Sequence, residues 1–255
     1  MTALRAEDIT VGYGKVPIVS GISVQVADGT LAAIVGPNGA GKSTLAKALA
    51  GVLRPDAGRI FVGDEEISGL PCHLVVRRGL AYVPQNGNVF ATLSVTENLE
   101  MGAFTRRAGV RGRISEVLDI FPDLRTAAAK KAGLLSGGQQ NLLGMARALM
   151  LDPRVVILDE PTAGLSPRYT DVVWAQIGRI TQAGTAALVV EQNVDRALAS
   201  ASHVYVLVAG ANHVDGPTEQ IAALDLAAIF LGHDEAAPPA DPAATSIPQA
   251  IREQP

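Results

Sequence analysis

The chain has 255 residues, of which 48% are hydrophobic, 4% aromatic and 18% charged, with a formal net charge of −4 at pH 7. The acidic balance and the shortage of aromatic side chains argue against a nucleic-acid-binding protein, which usually presents a basic surface with stacking aromatics. The single cysteine, Cys72, excludes an internal disulfide, and the N-terminus has no signal-peptide pattern, so we expect a cytoplasmic protein.

The first part of the chain has β character. Its β-type segments, bounded by Gly, Asp and Asn, are ITVGYG, GISVQVADG, LAAIVG and GRIFVG. A helix is predicted at KSTLAKALAGVL, because its large apolar residues recur at helical spacing. Gly51 and Pro55 mark where this helix ends. Between about 90 and 150 the segments VTENLEMGAF and RISEVLDIF predict a helical insertion without strands.

Strands and helices then alternate, which is typical of βαβ units and predicts an α/β fold. The segments concerned are RVVILDEP, DVVWAQIGRI, TAALVVEQ, VDRALASA and HVYVLVAG. Their apolar runs are far shorter than the roughly 20 residues that cross a bilayer, and they suit strands buried on both faces of a parallel sheet. Trp174 is predicted to lie in the core. The Pro- and Ala-rich segment 233–255 is predicted to be a disordered tail.

The stretch GPNGAGKS at 36–43 fits the phosphate-loop pattern G-x-x-x-x-G-K-[ST], between a predicted strand and a predicted helix. Its glycines let backbone N–H groups approach a polyphosphate. Lys42 supplies a positive charge, and the Ser43 hydroxyl can bind Mg²⁺. A plain Gly-rich turn is the alternative, but the complete motif in its required context favours a phosphate site.

Two acids end the apolar run VVILDE at 155–160. Asp159 is placed to join the shell of a Mg²⁺ ion, and Glu160 to polarise a water for attack on a γ-phosphate. Alone this motif is weak, because apolar runs often end in a surface acid. Beside a phosphate loop it becomes a strong indication of nucleotide hydrolysis.

Another helix is predicted in the stretch LSGGQQNLLGMARAL, with its N-terminus at residues 136–138. A helix N-terminus attracts anions, so this is a second candidate phosphate contact. A plain Ser-capped helix would account for Ser136 but not for the Gly-Gly-Gln that follows it.

These motifs, in this order and spacing, resemble the ATP-binding subunits of ABC transporters over essentially the whole chain up to Gly232. The resemblance implies a P-loop NTPase (RecA-like) α/β core with an antiparallel β subdomain and a helical subdomain. The core and β subdomain are expected at about 1–88 and 152–232, the helical subdomain at about 89–151, and the tail at 233–255. It also implies ATP and Mg²⁺ as ligands.

The resemblance further implies specific roles. In that family two cassettes pack head to tail, so Ser136, Gly138 and Gln139 are expected to meet the γ-phosphate held by the partner. Tyr13 corresponds to the aromatic that stacks on adenine; a strand-edge tyrosine is the alternative. Gln85 corresponds to the loop glutamine that reaches Mg²⁺ and the attacking water; a solvated loop residue is the alternative. The expected nucleotide contacts within the chain are Tyr13, Gly36, Asn38, Gly39, Ala40, Gly41, Lys42, Ser43 and Thr44.

The catalytic set implied by the resemblance is Lys42, Gln85, Glu160 and Gln192, and the Mg²⁺ contacts are Ser43, Gln85 and Asp159. Gln192, between Glu191 and Asn193, takes the place of the usual switch histidine. An amide can donate to a γ-phosphate oxygen but cannot become cationic, so weaker charge stabilisation is expected. Ser166 replaces a common aspartate. Both departures put symmetric hydrolysis by two copies of this chain in doubt.

Three stretches look like the second ATPase subunit of branched-chain amino-acid importers and of related urea and amide importers. They are EQN at 191–193, SGGQQNLLGMARALM with no arginine directly after the glutamines, and LSVTENLEMGAF. That resemblance implies a second, different ATPase chain, two transmembrane permease subunits and an extracytoplasmic binding protein. The chain is then expected on the cytoplasmic face of the membrane, with coupling through a groove near Gln85. A lipid or polysaccharide exporter ATPase and a soluble non-transport ABC ATPase are the alternatives.

Other candidates are weaker. His203 and His213 lack the spacing of a metal site. A local basic cluster favours a solvated helical face over a lipid or partner contact. Its members are Arg106, Arg107, Arg111 and Arg113.

Overall fold

The computed structural model describes residues 1–106 and 108–231. The chain divides into a unit spanning Met1–Leu224 and a second unit that begins at Asp225. Within its described part the second unit consists of one short helix, Leu226–Leu231. Arg107 and the tail predicted at 233–255 lie outside the described residues.

The first unit contains ten strands and nine α-helices within the described residues. The strands are β1 (Thr2–Tyr13), β2 (Val16–Ala27), β3 (Leu31–Val35), β4 (Ala57–Val62), β5 (Glu65–Glu66), β6 (Leu80–Val83), β7 (Val155–Asp159), β8 (Ala186–Glu191), β9 (His203–Val208) and β10 (Ala211–Pro217). The helices are α1 (Lys42–Leu49), α2 (Cys72–Arg77), α3 (Val95–Gly102), α4 (Val110–Ile120), α5 (Pro122–Arg125), α6 (Gly137–Leu149), α7 (Pro167–Gln182), α8 (Val194–Ser200) and α9 (Thr218–Ile221), with a 3-10 turn at Ala132–Leu134.

The strands form two sheets. The first is antiparallel, in the order β2-β1-β4-β5. The second has the order β10-β9-β3-β8-β7-β6, with parallel pairs throughout except for the hairpin between β9 and β10. Every residue of β3, β7 and β8 is buried, as expected for central strands of a parallel sheet covered on both faces. The mixed α/β architecture predicted from the sequence is confirmed.

Helix α1 contacts strands of both sheets, and the main hydrophobic core lies around it. Its members include Leu45 and Leu49 from α1, Ile9 from β1 and Leu188 from β8, all fully buried. The phosphate loop therefore leads into a helix that is packed on two sides. This packing fixes the start of α1, which is the end next to the predicted phosphate loop.

The segment predicted to be a helical insertion contains α3 to α6. Helix α3 begins with a capping box, in which Ser94 and Glu97 satisfy each other's backbone N–H groups. Helix α6 contacts α3, α4 and α5, and also β6 and β7. It therefore joins the helical segment to the parallel sheet.

Three strands were not predicted: β5, which has only two residues, β6 and β10. β6 has only four residues, in LAYV, and the sequence around it shows no alternation that would separate it from a loop. β10 is an edge strand in which exposed and half-buried positions alternate, so it lacks an apolar run. The other predicted strands and helices are present, and Trp174 is buried as predicted. Within the described part of the chain, no helix is long and apolar enough to cross a bilayer.

Candidate functional site

The carboxyl ends of four adjacent parallel strands bring the predicted site residues together. The phosphate loop follows β3, Gln192 follows β8, Asp159 ends β7 and Gln85 lies two residues after β6. In open α/β sheets this edge is where ligands bind. Residues far apart in the sequence thus meet at one edge of the sheet.

The phosphate loop reaches α1 through a residue that only glycine suits. Gly41 has φ +92°, and a Cβ atom there would lie 2.7 Å from Cγ2 of Val19. In the same loop, Lys42 Nζ donates to the carbonyl oxygens of Gly36 (2.8 Å) and Pro37 (3.0 Å). The ammonium group is therefore held against the loop backbone.

Lys42 is 4% exposed, and burial lowers the pKa of its ammonium group. The negative charges of Glu160, Asp159 and Glu191 act on this pKa in the opposite direction. A buried cation with three carboxylates around it leaves the edge of the sheet acidic until further positive charge enters. The net negative charge favours a divalent cation beside the carboxylates, whereas the Lys42 ammonium is the group that suits a phosphate.

The loop lines an open cleft of about 320 Å³. Its lining comprises Tyr13, Ile18, Asn38, Gly39, Ala40, Gly41, Lys42, Ser43, Thr44 and Glu160. Tyr13 ends β1 at the cleft rim, and 53% of its surface is exposed, which leaves its ring free to stack on a base. Gly36 does not line this cleft; it contributes the carbonyl that Lys42 contacts.

Asp159 ends β7 and is only 3% exposed, and its carboxylate lies between two hydroxyl groups. Ser43 Oγ donates to its Oδ1 (2.8 Å), and Tyr82 Oη donates to its Oδ2 (3.0 Å). Burial and the Asp159 carboxylate raise the pKa of the Tyr82 hydroxyl, so this hydroxyl stays protonated and remains a donor. A carboxylate and a hydroxyl within 2.8 Å form a hard oxygen pair that fits Mg²⁺, which binds few protein ligands beside phosphate and water. Tyr82 gave no signal in the sequence.

Both carboxylate oxygens of Glu160 accept hydrogen bonds from glutamines. Gln85 Nε2 donates to Oε2 (2.8 Å), and Gln192 Nε2 donates to Oε1 (2.9 Å). The backbone of Glu160 is unusual, with φ +47°, a conformation that is unfavourable for a residue with a Cβ atom. Its N–H donates to the Val190 carbonyl (2.9 Å), which helps to hold it there. The proposed base is thus oriented through its side chain and its backbone.

The residues around Gln192 have separate contacts. The buried Glu191 carboxylate accepts from Thr162 and from the backbone N–H of Gln192. Asn193 caps α8, since its Oδ1 accepts from the N–H of Arg196 (3.1 Å). Glu191 and Thr162 were not predicted as site residues.

Contacts within this chain explain more of the residues at the N-terminus of α6 than we expected from the sequence. Ser136 and Gln139 form a capping box, in which Ser136 Oγ accepts from Gln139 N (3.3 Å) and Gln139 Oε1 accepts from Ser136 N (3.2 Å). Gly138 packs under the Tyr169 ring, where a Cβ atom would lie 2.3 Å from Cδ1. The expectation that capping explains Ser136 alone was therefore wrong. Ser136, Gly138 and Gln139 do not line the phosphate-loop cleft of their own chain.

An apolar groove of about 340 Å³ lies near Gln85, between β6, α3 and α6. Three large side chains on its wall are exposed: Phe90 (44%), Met101 (51%) and Phe104 (61%). Cζ of Arg147 lies over the Phe90 ring, 4.8 Å from the ring centroid, and its guanidinium supplies a positive charge in the lining of the groove. A groove with an apolar wall and one cation suits an amphipathic protein segment.

Three of the remaining candidates have structural partners. Arg106 and Arg113 pair with Asp152, so these two members of the basic cluster are not free. His203 pairs with Asp215. In residues 1–106 and 108–231, no group of three or more His, Cys, Asp or Glu is arranged to hold a metal ion by itself.

Known proteins are similar to this chain over most of its length. A family model described as ABC transporter matches residues 19–163. The probable branched-chain amino acid transport ATP-binding protein LivF of Archaeoglobus fulgidus is 40% identical over 220 residues, covering 86% of this chain and 93% of its own length.

Two further similarities extend this result. The lipopolysaccharide export system ATP-binding protein LptB of Escherichia coli is 32% identical, covering 92% of this chain and 99% of its own. Among solved structures, the ADP conformation of an ATP-binding cassette of an ABC transporter superposes with a TM-score of 0.81 at 28% identity. That match covers 91% of this chain and 99% of the other.

Proposed function

The chain belongs to the ABC transporter family of ATP-binding subunits, and on that premise we propose that it powers the uptake of branched-chain amino acids or related small polar solutes. As a member of this family it is a nucleotide-binding ATP hydrolase that works with membrane permease subunits. The finer assignment is supported by the 40% identity to the LivF relative, against 32% to the LptB relative. The observation on which the hydrolytic role rests is the hydrogen bonding of Glu160 by Gln85 and Gln192 beside the phosphate loop.

We infer that the cleft binds ATP through three groups. Tyr13 stacks on the base at the rim, the loop N–H groups surround the β- and γ-phosphates, and Lys42 turns from the loop carbonyls toward phosphate oxygens. Ser43 and Asp159 would hold Mg²⁺ with help from Gln85, and the bound ion would supply positive charge beside the phosphates.

Glu160 is the proposed general base. It accepts a proton from a water molecule as the water oxygen bonds to the γ-phosphorus and the bond from that phosphorus to the bridging oxygen of ADP breaks. The products are ADP and inorganic phosphate. Gln85 and Gln192 orient the carboxylate, and each oxygen retains a lone pair for the water.

We further propose that the working unit pairs this chain with a second, different ATPase chain in a head-to-tail dimer. Ser136, Gly138 and Gln139 then face the partner's nucleotide, since they lie outside the cleft of their own chain. Two transmembrane permease subunits and an extracytoplasmic binding protein complete the assembly, with the chain on the cytoplasmic face of the membrane. A short helix of a permease subunit docks in the groove with Phe90, Met101 and Phe104.

The test of the proposed substrate is uptake of radiolabelled leucine, isoleucine and valine by cells that lack this chain. Restoring the wild-type chain is expected to restore saturable uptake, and restoring a Lys42→Ala chain is not. Uptake that is unchanged by loss of the chain would overturn the assignment. Loss of lipid or polysaccharide export in the same strain would favour the exporter function suggested by the LptB similarity.

The amide at position 192 gives a separate prediction. Replacing Gln192 with His is expected to raise the ATP hydrolysis rate severalfold in a chain that is forced to homodimerise. The reason is that an imidazolium stabilises developing γ-phosphate charge better than an amide does. The gain should shrink as pH rises above about 6.5, where histidine loses its proton. An unchanged or lower rate at pH 6 in a verified dimer would contradict the prediction.

A further inference from the structure

Glu191 is a buried carboxylate that the mechanism above does not use. It is 4% exposed and lies at the end of β8, directly before Gln192. Burying a carboxylate is costly unless its oxygens are hydrogen-bonded. Glu191 meets this requirement with three donors, all from residues beside the site.

The donors come from two segments. Oε1 accepts from the Thr162 hydroxyl (2.6 Å) and the Thr162 backbone N–H (3.2 Å). Oε2 accepts from the backbone N–H of Gln192 (3.2 Å). The short hydroxyl contact is typical of a charge-assisted bond to an ionised carboxylate. Each oxygen of Glu191 therefore holds a different segment.

Both segments lead to Glu160. Thr162 lies two residues after Glu160 in the same turn, in which the Ala163 N–H donates to the Glu160 carbonyl (3.1 Å). Gln192 donates from its side chain to Glu160 Oε1 (2.9 Å). The contacts form a closed ring from Glu160 through Thr162, Glu191 and Gln192 back to Glu160. The ring includes Glu160, whose backbone adopts φ +47°, a conformation that the surrounding structure must stabilise.

We propose that Glu191 is a positioning residue for ATP hydrolysis, whose carboxylate ties the turn after Glu160 to Gln192 so that the base and the amide keep a fixed relative geometry. The inference rests on the proposed role of Glu160 as general base. Glu191 does not line the phosphate-loop cleft; it acts through Thr162 and Gln192. The segment EQN thus has one role per residue, with Glu191 as the tie, Gln192 as the phosphate-facing amide and Asn193 as the cap of α8.

The test uses ATPase kinetics of the membrane assembly that copurifies with the tagged full-length chain, with the partner ATPase's own site inactivated in every sample. Glu191→Gln places an NH₂ group against the Gln192 N–H or the Thr162 donors, so at least one bond of the ring is lost. Its kcat is expected to fall about tenfold, with the KM for ATP within about twofold of wild type. Thr162→Val should lower kcat similarly, whereas Thr162→Ser, which keeps the hydroxyl, should remain near wild type.

The double variant Glu191→Gln, Thr162→Val is expected to be no slower than Glu191→Gln alone, because both changes break the same tie. Additive losses, a wild-type kcat in Glu191→Gln, or equal damage from the two Thr162 variants would overturn the proposal. If Glu191→Gln fails to fold, the comparison of Thr162→Val with Thr162→Ser decides whether the proposal holds. Failure of the proposed function is distinct, since wild type would then hydrolyse ATP no faster than Glu160→Gln.

Discussion

A Glu160→Gln chain is expected to hydrolyse ATP about a thousandfold more slowly than wild type while still binding it, since loss of a positioned general base typically costs this order of rate. The substitution preserves the size of the side chain and its place between Gln85 and Gln192. It removes the carboxylate that accepts the proton of the attacking water. Binding rests on other groups, chiefly the phosphate loop and Tyr13.

The measurement for Glu160→Gln is single-turnover hydrolysis in the purified membrane assembly, with the partner ATPase's own site inactivated in every sample, alongside equilibrium binding of ATP. Glu219→Gln is a matched control, because Glu219 is exposed on α9 and does not line the cleft. That control should keep the wild-type rate. A Glu160→Gln rate within a few-fold of wild type would remove Glu160 as the base.

Replacing Lys42 with Ala is expected to abolish measurable hydrolysis and to weaken ATP binding. Lys42 is a buried cation at the phosphate loop, and the developing charge on the γ-phosphate needs such fixed positive groups. Folding should suffer much less, because removing the ammonium also removes the cost of burying it, and only the Gly36 and Pro37 carbonyls lose a donor.

The Lys42→Ala chain is compared with Lys47→Ala, which removes the same charge from the same helix but not from the cleft. ATP affinity, hydrolysis and the melting temperature are measured for both. We expect only Lys42→Ala to lose binding and turnover, with melting temperatures of both within a few degrees of wild type. Sustained hydrolysis by Lys42→Ala together with its partners would contradict the assignment of the phosphate loop.

Local sequence was enough to predict the elements on which the site is built. The phosphate loop sits between a buried strand and a helix, and both depend on short-range patterns in GPNGAGKS and its flanks. The acids at 159 and 160 follow an apolar run that could only be a strand or a buried helix segment. Such features are visible because hydrophobic periodicity and glycine placement act over a few residues.

What the sequence did not predict depends on contacts between distant segments. The Tyr82 hydroxyl reaches Asp159 only because β6 pairs with β7, a pairing that no local pattern encodes. Similarly, Glu191 meets Thr162 because β7 lies beside β8. The positive φ of Glu160 is also set by its surroundings, since glutamate has no intrinsic preference for that conformation.

The division of the β-rich first part of the chain between two sheets also depends on contacts between distant segments. β3 follows β2 closely in the sequence, yet it joins the parallel sheet between β8 and β9 instead of the antiparallel sheet. Its sequence LAAIV is apolar throughout, which indicates a strand buried on both faces, but the identity of its neighbours needs the whole chain.

The proposed role of this chain as the ATPase of a heteromeric membrane importer is tested by affinity purification from detergent-solubilised native membranes. Every copurifying chain is identified by mass spectrometry. We expect two multi-span proteins and a second, different ATPase. Phe104→Asp, which places a charge on the exposed groove wall, should lose the multi-span proteins, whereas Val52→Asp, exposed outside the groove, should retain them. Recovery of the chain alone, or with cytosolic proteins only, would contradict this proposed role.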